Sequence, residues 1–507
     1  MTARVPGICP STDTGHEARL QPAMLSLPRH SSMLLRTPDQ EAIPMLDPVL
    51  KRIDDGLDAS IERWSELLRI PSVSTDPAYA DDARRAAQWL IETFEALGFT
   101  VELHETAGHP VVLGHHPGPG GDAPHLLYYG HYDVQPADPV ELWDSGPFEP
   151  TVTDSPHGKK MVARGAVDDK GQLMMWVEAL RAWQAEHGTL PVETTVLLEG
   201  EEEIGSKHLR PFLEAQRERL AQADVCVVSD TTMWDVDTPA ITYSLRGLLY
   251  TEITCRGPAR DLHSGFYGGA VVNPLNALAK ILADLHDDDG RIRIPGFYDQ
   301  VLEPGRAEFA AWENLDMDEG AFLEGAGVTT GGGERDRSLL ERLWTRPTGD
   351  VNGLYGGYTG AGAKTVIATE GTAKVSFRLV PDQDPEAIAE GLQRFLDEHT
   401  PAGCSCELTI HSAAPAIRID PGSAWLRTAC AAMGDIYGKE AVPIGCGGSI
   451  PIAAWAREIL GIDTLLMGFS LDDDAMHSPN EKFEITCFER GMKSHAALLA
   501  RIAEGRG

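Results

Sequence analysis

Short apolar runs that alternate with helix-like segments are the feature that most constrains the fold of this chain. Runs with the character of β-strands lie at 100–103, 125–129, 194–198 and 224–228, and a helix-like segment occupies 172–187. Apolar strands that alternate with helices of this length predict an α/β fold, in which helices sandwich a mainly parallel sheet.

Acidic and histidine residues directly follow three of these runs. His131 follows the second run, the Glu-rich segment 199–203 follows the third, and Asp230 follows the fourth. The carboxyl ends of parallel strands meet at one edge of a sheet, where reactive groups collect. We therefore expect these side chains to lie close together.

Two further motifs contribute to the same set, Asp168 within 164–171 and His477 within 475–477. A cluster with two imidazoles and several carboxylates suits a pair of divalent ions, most often zinc or manganese, better than it suits an iron–sulfur or thiolate site. The sequence therefore predicts a two-metal hydrolase.

The spacing within the motifs predicts how the side chains divide the chemistry. His131 can bind a metal through one ring nitrogen while Asp133 holds the other. At a predicted helix start, one carboxylate of the pair Asp168 and Asp169 can bridge two ions while the other caps the helix. Like charges at 199–203 repel one another unless cations neutralise them, so one Glu can bind metal while another takes a proton from water.

Charge argues against two classes of partner. The chain has 77 acidic residues against 43 Lys and Arg, a formal net charge of -34. Such a charge repels a phosphate backbone and an anionic lipid surface, so we expect no nucleic acid or membrane partner. The sequence contains no apolar stretch of about 18 residues, and its N-terminus lacks the apolar core of a secretory signal. We predict a cytoplasmic location.

The length of the chain predicts two domains beside a short N-terminal extension. Residues 1–44 show no sustained hydrophobic periodicity, which is typical of a disordered leader or of a translation start that has been assigned too far upstream. We expect residues 45–239 and 413–507 to form the catalytic domain. Between them, 240–412 predicts a small α+β domain, with strands at 240–245, 248–255, 372–379 and 407–410 and helices at 273–285 and 385–399.

Cysteine and histidine usage outside these motifs predicts no further site. The eight cysteines are few for this length and show no Cys-x-x-Cys spacing, so we expect free thiols. His115 and His116 are adjacent in an apparent strand and should face opposite sides. We expect both to be structural or exposed and not metal ligands.

The motifs together resemble those of the co-catalytic metallopeptidase family that contains carnosinase, cytosolic nonspecific dipeptidase, aminoacylase and succinyl-diaminopimelate desuccinylase. The resemblance runs from about 46 to 503 in the expected order and is greatest to the dipeptidases. It implies a zinc-peptidase-like catalytic domain into which the middle segment is inserted as a lid and dimerisation domain.

The resemblance also implies a role for each residue of the metal centre. It assigns two ligand sets: His131, Asp168 and Asp230 for one ion, and Asp168, Glu203 and His477 for the other. Asp168 is then the bridge, Glu202 the general base and Asp133 the carboxylate that orients His131. Two zinc ions per subunit are implied, with manganese or cobalt as alternatives.

Further matches concern the substrate and the partner subunit. His263, in the Asp-Leu-His-Ser-Gly motif, resembles the lid histidine that stabilises the tetrahedral oxyanion. In dimeric relatives that histidine reaches into the neighbouring subunit, so a homodimer through the lid domain is implied. Arg378 resembles the arginine that binds the terminal carboxylate of the substrate. Thr365, His411 and Ser449 match pocket residues of the dipeptidases.

The implied activity is hydrolysis of dipeptides or short peptides by a metal-bridging hydroxide. Within the family, peptidases usually have Asp rather than Glu at the position of Asp230, which favours a peptidase over a deacylase.

Two positions depart from the close relatives: Cys446 replaces an acidic residue, and Ala368 replaces a proline. The alternative is an N-acyl-amino-acid deacylase that uses the same centre. A non-catalytic binding protein is disfavoured because the ligands, the base and the lid histidine are all present.

Overall fold

The computed structural model describes residues 45–313 and 315–505. The leader predicted at 1–44 lies outside these residues. In chain order, the helices are α1 (Leu46–Leu68), α2 (Ala80–Ala96), α3 (Lys170–His187), α4 (Leu209–Ala215), α5 (Arg217–Leu220), α6 (Ser264–Tyr267), α7 (Pro274–Asp284), α8 (Arg306–Trp312), α9 (Glu319–Gly325), α10 (Leu339–Trp344), α11 (Pro385–His399), α12 (Ala424–Tyr437), α13 (Pro451–Trp455) and α14 (Ile485–Ala503).

The strands are numbered in the same way. They are β1 (Thr100–His104), β2 (Val111–His116), β3 (His125–His131), β4 (Thr151–Ser155), β5 (Gly158–Val162), β6 (Glu193–Glu199), β7 (Val225–Val228), β8 (Ala240–Leu245), β9 (Gly247–Arg256), β10 (Leu262–His263), β11 (Thr348–Gly356), β12 (Val366–Ile367), β13 (Glu370–Leu379), β14 (Ser405–Ala414), β15 (Ile417–Arg418), β16 (Val442–Cys446), β17 (Asp463–Leu466) and β18 (Lys482–Glu484).

The large sheet has the strand order β1-β2-β6-β3-β7-β17-β8-β15, with β16 paired to β8. At its centre β6, β3, β7 and β17 run parallel to one another, whereas β1 and β2 are antiparallel at one edge. Every residue of β3 is buried, as expected for a strand in a parallel sheet that is covered on both faces. The predicted α/β class with a mainly parallel sheet is confirmed.

Helices cover this sheet with apolar stripes. Helix α1 buries Val49, Ile53 and Trp64 on one face, which is the spacing of an amphipathic helix. The Trp64 ring stacks on Phe488 of α14, with 4.5 Å between the ring centroids.

None of the helices in the described part of the chain combines the length and the apolar character that a membrane span requires.

A smaller antiparallel sheet with the order β11-β13-β9-β14 forms from the middle of the chain. Helices α7 and α11 pack against it. Leu249, Ile253, Phe377 and Leu392 belong to a core of its own. The chain boundaries of a separate lid domain stay a prediction.

The two adjoining strands predicted at 240–245 and 248–255 belong to different sheets. Strand β8 pairs with β15, β16 and β17 in the large sheet, whereas β9 lies inside the small one. Arg246 separates the two strands, so the chain crosses between the sheets at this residue. Sequence alone did not reveal the crossing, because strand pairing depends on partners far along the chain.

The expectation of free thiols is wrong for one pair of cysteines. Cys255 of β9 and Cys406 of β14 form a disulfide, with their Cα atoms 4.1 Å apart. They lie opposite each other in the antiparallel register of the two strands. Because 151 residues separate them in sequence, no short spacing could indicate the bridge. The free cysteines of the described residues are Cys226, Cys404, Cys430, Cys446 and Cys487.

Candidate metal centre

Three neighbouring parallel strands place the first side chains of the centre at one edge of the large sheet. His131 is the last residue of β3 and pairs with Glu199, the last residue of β6. Asp230 follows β7, which lies on the other side of β3. The sequence-based expectation that these strand ends meet is confirmed.

Loops deliver the other two side chains. Asp168 lies just before α3, and His477 lies between β17 and β18. His477 has a positive φ of 60°, a conformation that costs a non-glycine residue about 1 kcal/mol or more. Buried Asp474 fixes this loop, because its carboxylate accepts hydrogen bonds from Lys482 Nζ and from the Leu471 amide, each at 2.7 Å.

Asp168 lies between the two histidines. Its Oδ1 is 3.2 Å from His131 Nε2, and its Oδ2 is 2.9 Å from His477 Nε2. Asp230 Oδ2 lies 3.9 Å from His131 Nε2, and Glu203 Oε2 lies 3.3 Å from His477 Nε2. Each of the two resulting groups could hold a metal ion, because its ligand atoms lie within 4.8 Å of one another. Asp168 belongs to both groups.

The charge balance of this cluster favours bound cations. Burial and neighbouring carboxylates raise the pKa of Asp230 and of Glu203. Burial also acts to raise the pKa of Asp168, but the neighbouring imidazoles of His131 and His477 outweigh it and hold that pKa below its usual value. His131 Nε2 and Glu203 Oε1 are buried and make no hydrogen bond within the described residues. Such atoms fit a metal site, since a cation would satisfy both.

Asp133 connects His131 to the glutamate segment. Its backbone carbonyl lies 3.1 Å from His131 Nδ1, and its carboxylate Oδ1 lies 3.3 Å from the same nitrogen. The two carboxylate oxygens accept the backbone N–H groups of Glu202 and Glu203, at 3.2 and 3.1 Å. With the His131 proton on Nδ1, the Nε2 lone pair points toward the cluster.

The structure corrects one sequence-based role and adds another residue. Asp169 is the N-cap residue of α3, but its side chain makes no capping hydrogen bond. Its Oδ2 instead accepts the His131 amide at 3.1 Å. Glu481 was missed, although it is buried and accepts three backbone amides of the segment 165–168 and the Arg164 guanidinium. Its only sequence signal is its position four residues after His477.

Two of the predicted substrate residues meet beside a second arginine. Arg378 Nη1 lies 3.4 Å from Ser449 Oγ. Arg246, which sequence analysis missed, donates to the Gly447 carbonyl at 3.4 Å. Burial and the charge of Arg378 lower the pKa of Arg246 to about 10. Neither guanidinium makes an ion pair with a carboxylate within the described residues, which leaves both available to an anion.

The remaining predicted residues lie on the two-stranded sheet of β10 and β12, beside it, and on the small sheet. His263 is exposed, and its hydrogen bond to Gly265 and its ring contact with Phe266 are both local. The Thr365 carbonyl accepts the Ser264 amide, so Thr365 lies beside His263. His411, on β14, lies 3.5 Å from Glu252 Oε2 and is not joined to either group.

Comparison with known proteins identifies the family. Residues 127–501 match the family described as Peptidase family M20/M25/M40. The chain belongs to this family. M20 peptidases are metal-dependent, so this M20 chain is a metal-dependent peptidase with two residue groups that could hold the ions.

Relatives of this M20 peptidase span nearly its whole length. It is 31% identical to the Cys-Gly metallodipeptidase dug1 of Schizosaccharomyces pombe, over 90% of this chain and 98% of the relative. It is 30% identical to the Beta-Ala-His dipeptidase of Homo sapiens, over 91% and 93% of the two chains. The solved structure of the M20 family metallo-carboxypeptidase Sso-CP2 from Sulfolobus solfataricus matches with a TM-score of 0.77 and 32% identity, over 88% and 99% of the two chains.

Proposed function

We propose that this M20 peptidase hydrolyses dipeptides or short peptides at two ions held by His131, Asp168, Asp230, Glu203 and His477. The observation that carries the proposal is that Asp168 presents one carboxylate oxygen to each of two ligand groups. Its relatives of similar length are named dipeptidases. When bound, the ions polarise the scissile carbonyl and make a water molecule more acidic.

Zinc is the ion that we propose for both positions. Imidazole nitrogen and carboxylate oxygen are common zinc donors, and the two groups contain no thiolate. Manganese and cobalt are the alternatives that the same donors accept. Metal content after growth and after reloading distinguishes them.

Glu202 is the residue that we assign as general base. Burial raises the pKa of its carboxyl well above the usual value, and repulsion from Glu203 contributes in the same direction. A raised pKa favours accepting a proton from the attacking water and returning it to the leaving amine. The side chain of Glu202 makes no hydrogen bond within the described residues, whereas its backbone amide is held by Asp133. The carboxylate is therefore available to the water.

Arg378 and Arg246 are proposed to bind the free carboxylate at the substrate's C-terminus. Both guanidiniums lack an acidic partner among the described residues, and Ser449 lies beside Arg378. A planar guanidinium suits two parallel hydrogen bonds to a carboxylate. Arg246 and Cys446 also line a cavity of about 740 Å³ together with Trp234 and Trp344. We infer that this cavity receives part of the substrate, so Cys446 contributes to selectivity.

A homodimer through the middle segment completes the proposal. His263 is exposed, and the hydrogen bond and the ring contact of its imidazole are to Gly265 and Phe266, so the imidazole is available to another subunit. The neighbouring Phe266 is 82% exposed. In a dimer, His263 of one subunit would donate a hydrogen bond to the carbonyl oxygen as negative charge develops there. Thr365 and His411 are proposed to contact the same substrate.

The first experiment compares unmodified dipeptides with the matching N-acetyl amino acids, using protein loaded separately with zinc and manganese. Cleavage of the dipeptides, abolished by chelation and restored by metal, is the expected result. Preference for the acetylated series would contradict the dipeptidase proposal and establish the deacylase. A substrate with an amidated C-terminus is the matched control, because it removes the carboxylate that Arg378 and Arg246 would bind.

A further inference from the structure

A second cluster of metal-ligating side chains lies at the other end of the strand that carries His131. His125 is the first residue of β3, and His131 is the last. At about 3.3 Å per residue, the two histidines are separated by roughly 20 Å of strand. The new cluster, His115, His125 and Glu193, therefore lies outside the candidate metal centre.

The register of three strands brings these side chains to one face of the sheet. Strand β6 lies between β2 and β3. His115 of β2 is paired with Thr195, and His125 of β3 is paired with Glu193. Glu193 and Thr195 are two residues apart on β6, so their side chains point to the same side. His116 faces the opposite side, where its ring packs against Phe99.

One hydroxyl orients both imidazole rings. Thr195 Oγ1 lies 3.2 Å from His115 Nδ1 and 2.8 Å from His125 Nε2. A hydroxyl oxygen has two lone pairs, so it can accept an N–H from each ring. The other nitrogen of each ring then carries a lone pair, which is the arrangement that metal-binding histidines adopt when an outer group fixes the ring.

The ring nitrogens that do not contact Thr195 face one carboxylate oxygen at a distance that suits an intervening ion. Glu193 Oε1 lies 3.6 Å from His125 Nδ1 and 3.8 Å from His115 Nε2. Both separations exceed a normal hydrogen bond. Ligand atoms around a tetrahedral zinc ion lie about 3.4 Å apart, given bonds of about 2.0–2.1 Å. The three ligand atoms all lie within 4.8 Å of one another.

The solvent accessibility of the three side chains and the protonation of His125 also suit metal binding. The side chains of His115 and Glu193 are 33% and 32% exposed, whereas that of His125 is 11% exposed. An ion can therefore reach the site from solvent while one ligand stays buried. Burial lowers the pKa of His125 despite the nearby Glu193 and a hydrogen bond with the Gln222 backbone, which favours the neutral form of the ring that binds metal.

We propose that His115, His125 and Glu193 bind an additional divalent ion of the zinc class, with water as the fourth ligand and Thr195 fixing both rings. The ion would link β2, β6 and β3 at the edge of the sheet opposite to the candidate metal centre. This proposal departs from the expectation that His115 is not a ligand.

The test is the zinc content of the full chain after complete chelation, reloading and removal of loosely bound metal, measured by mass spectrometry. His115→Gln and Glu193→Gln should each hold one zinc fewer per chain than the unmodified protein. His104→Gln is the matched control, because His104 forms an exposed pair with Glu102 at 3.1 Å on the same sheet and has no third ligand among the residues that the structure describes. It should keep the full zinc content.

A second measurement separates loss of the site from loss of folding. The metal-free variants should melt at the temperature of the metal-free parent, and zinc should raise that temperature less in the two site variants than in the parent and the control. Dipeptide hydrolysis should be unchanged in both variants. Equal zinc content in the parent and the site variants would overturn the proposal. So would an equal loss in His104→Gln, which would indicate adventitious binding to surface histidines.

Discussion

The candidate metal centre and the candidate substrate residues differ in how the fold holds them in position. His131, Asp168 and Asp230 are positioned by the ends of neighbouring strands and a buried loop. Glu481 accepts the Asp168 amide, and Asp133 accepts the Glu202 amide. The substrate candidates instead come from both sheets, and His263 and His411 are exposed. The candidate metal centre is thus built on the large sheet and its loops, whereas the substrate recognition that we propose depends on how the large sheet meets the middle segment.

The strongest test of this difference is Asp168→Asn. Because Asp168 alone belongs to both ligand groups, its loss should lower the affinity for both ions and reduce peptidase activity to background. Metal content and dipeptide hydrolysis measure the two effects. Asp154→Asn, on the exposed strand β4, is the control and should retain both. Retention of two tightly bound ions by Asp168→Asn would contradict a shared bridge.

Glu202→Gln should separate chemistry from metal binding. We expect kcat to fall by about 10²–10⁴-fold, the usual contribution of a general base, while both ions remain. Glu203→Gln should instead lose one ion, because Glu203 belongs to only one of the ligand groups. Metal analysis alongside kcat measures the contrast. Unchanged turnover in Glu202→Gln would exclude it as the base.

Arg378→Lys should affect binding of the substrate more than the metal centre. Loss of one charge-assisted hydrogen bond, worth about 1.5–3 kcal/mol, predicts a roughly 10- to 150-fold lower kcat/KM. The effect should disappear with a C-terminally amidated substrate, and metal content should not change. Arg394→Lys, in an exposed pair with Glu390 on α11, is the control. An equal loss with the amidated substrate would assign Arg378 a structural role.

Removal of the disulfide should have the smallest effect on catalysis. Cys255→Ser should lower the free energy of unfolding by about 2–4 kcal/mol under oxidising conditions, with little change in metal content, because the bridge lies in the small sheet. Denaturation with and without reductant measures the change in the free energy of unfolding, and Cys404→Ser is the control.

The redox state of this pair also tests the predicted cytoplasmic location, because disulfides are uncommon in the cytosol. A fully reduced pair in protein isolated under thiol-trapping conditions would support that location.

Much of the fold and part of the site could be predicted because their signals are local. Apolar runs predict strands, and residues that directly follow parallel strands must lie at one edge, which places His131 and Asp230 together. The family, the fold class and the metal-dependent peptidase activity are confirmed. The roles of individual residues, the metal and the homodimer stay predictions.

Other features could not be predicted because they depend on distant partners. Glu481 acts through backbone amides of the segment 165–168, which no motif encodes. Arg246 is distinguished by its position at the crossing between two sheets, and the disulfide by the register of β14 on β9. Pairing of His115 with Thr195 across strands likewise appears only once the strand order is known.

The sequence by itself determined which chemistry is present, because side-chain type and position after an apolar run are local properties. It determined the α/β class, the types of the candidate ligands and the acidic pair that contains Glu202. Only the tertiary structure decided which side chains meet, because strand order and register bring together residues that are hundreds of positions apart. Asp168 and His477, separated by 309 residues, meet at 2.9 Å for this reason.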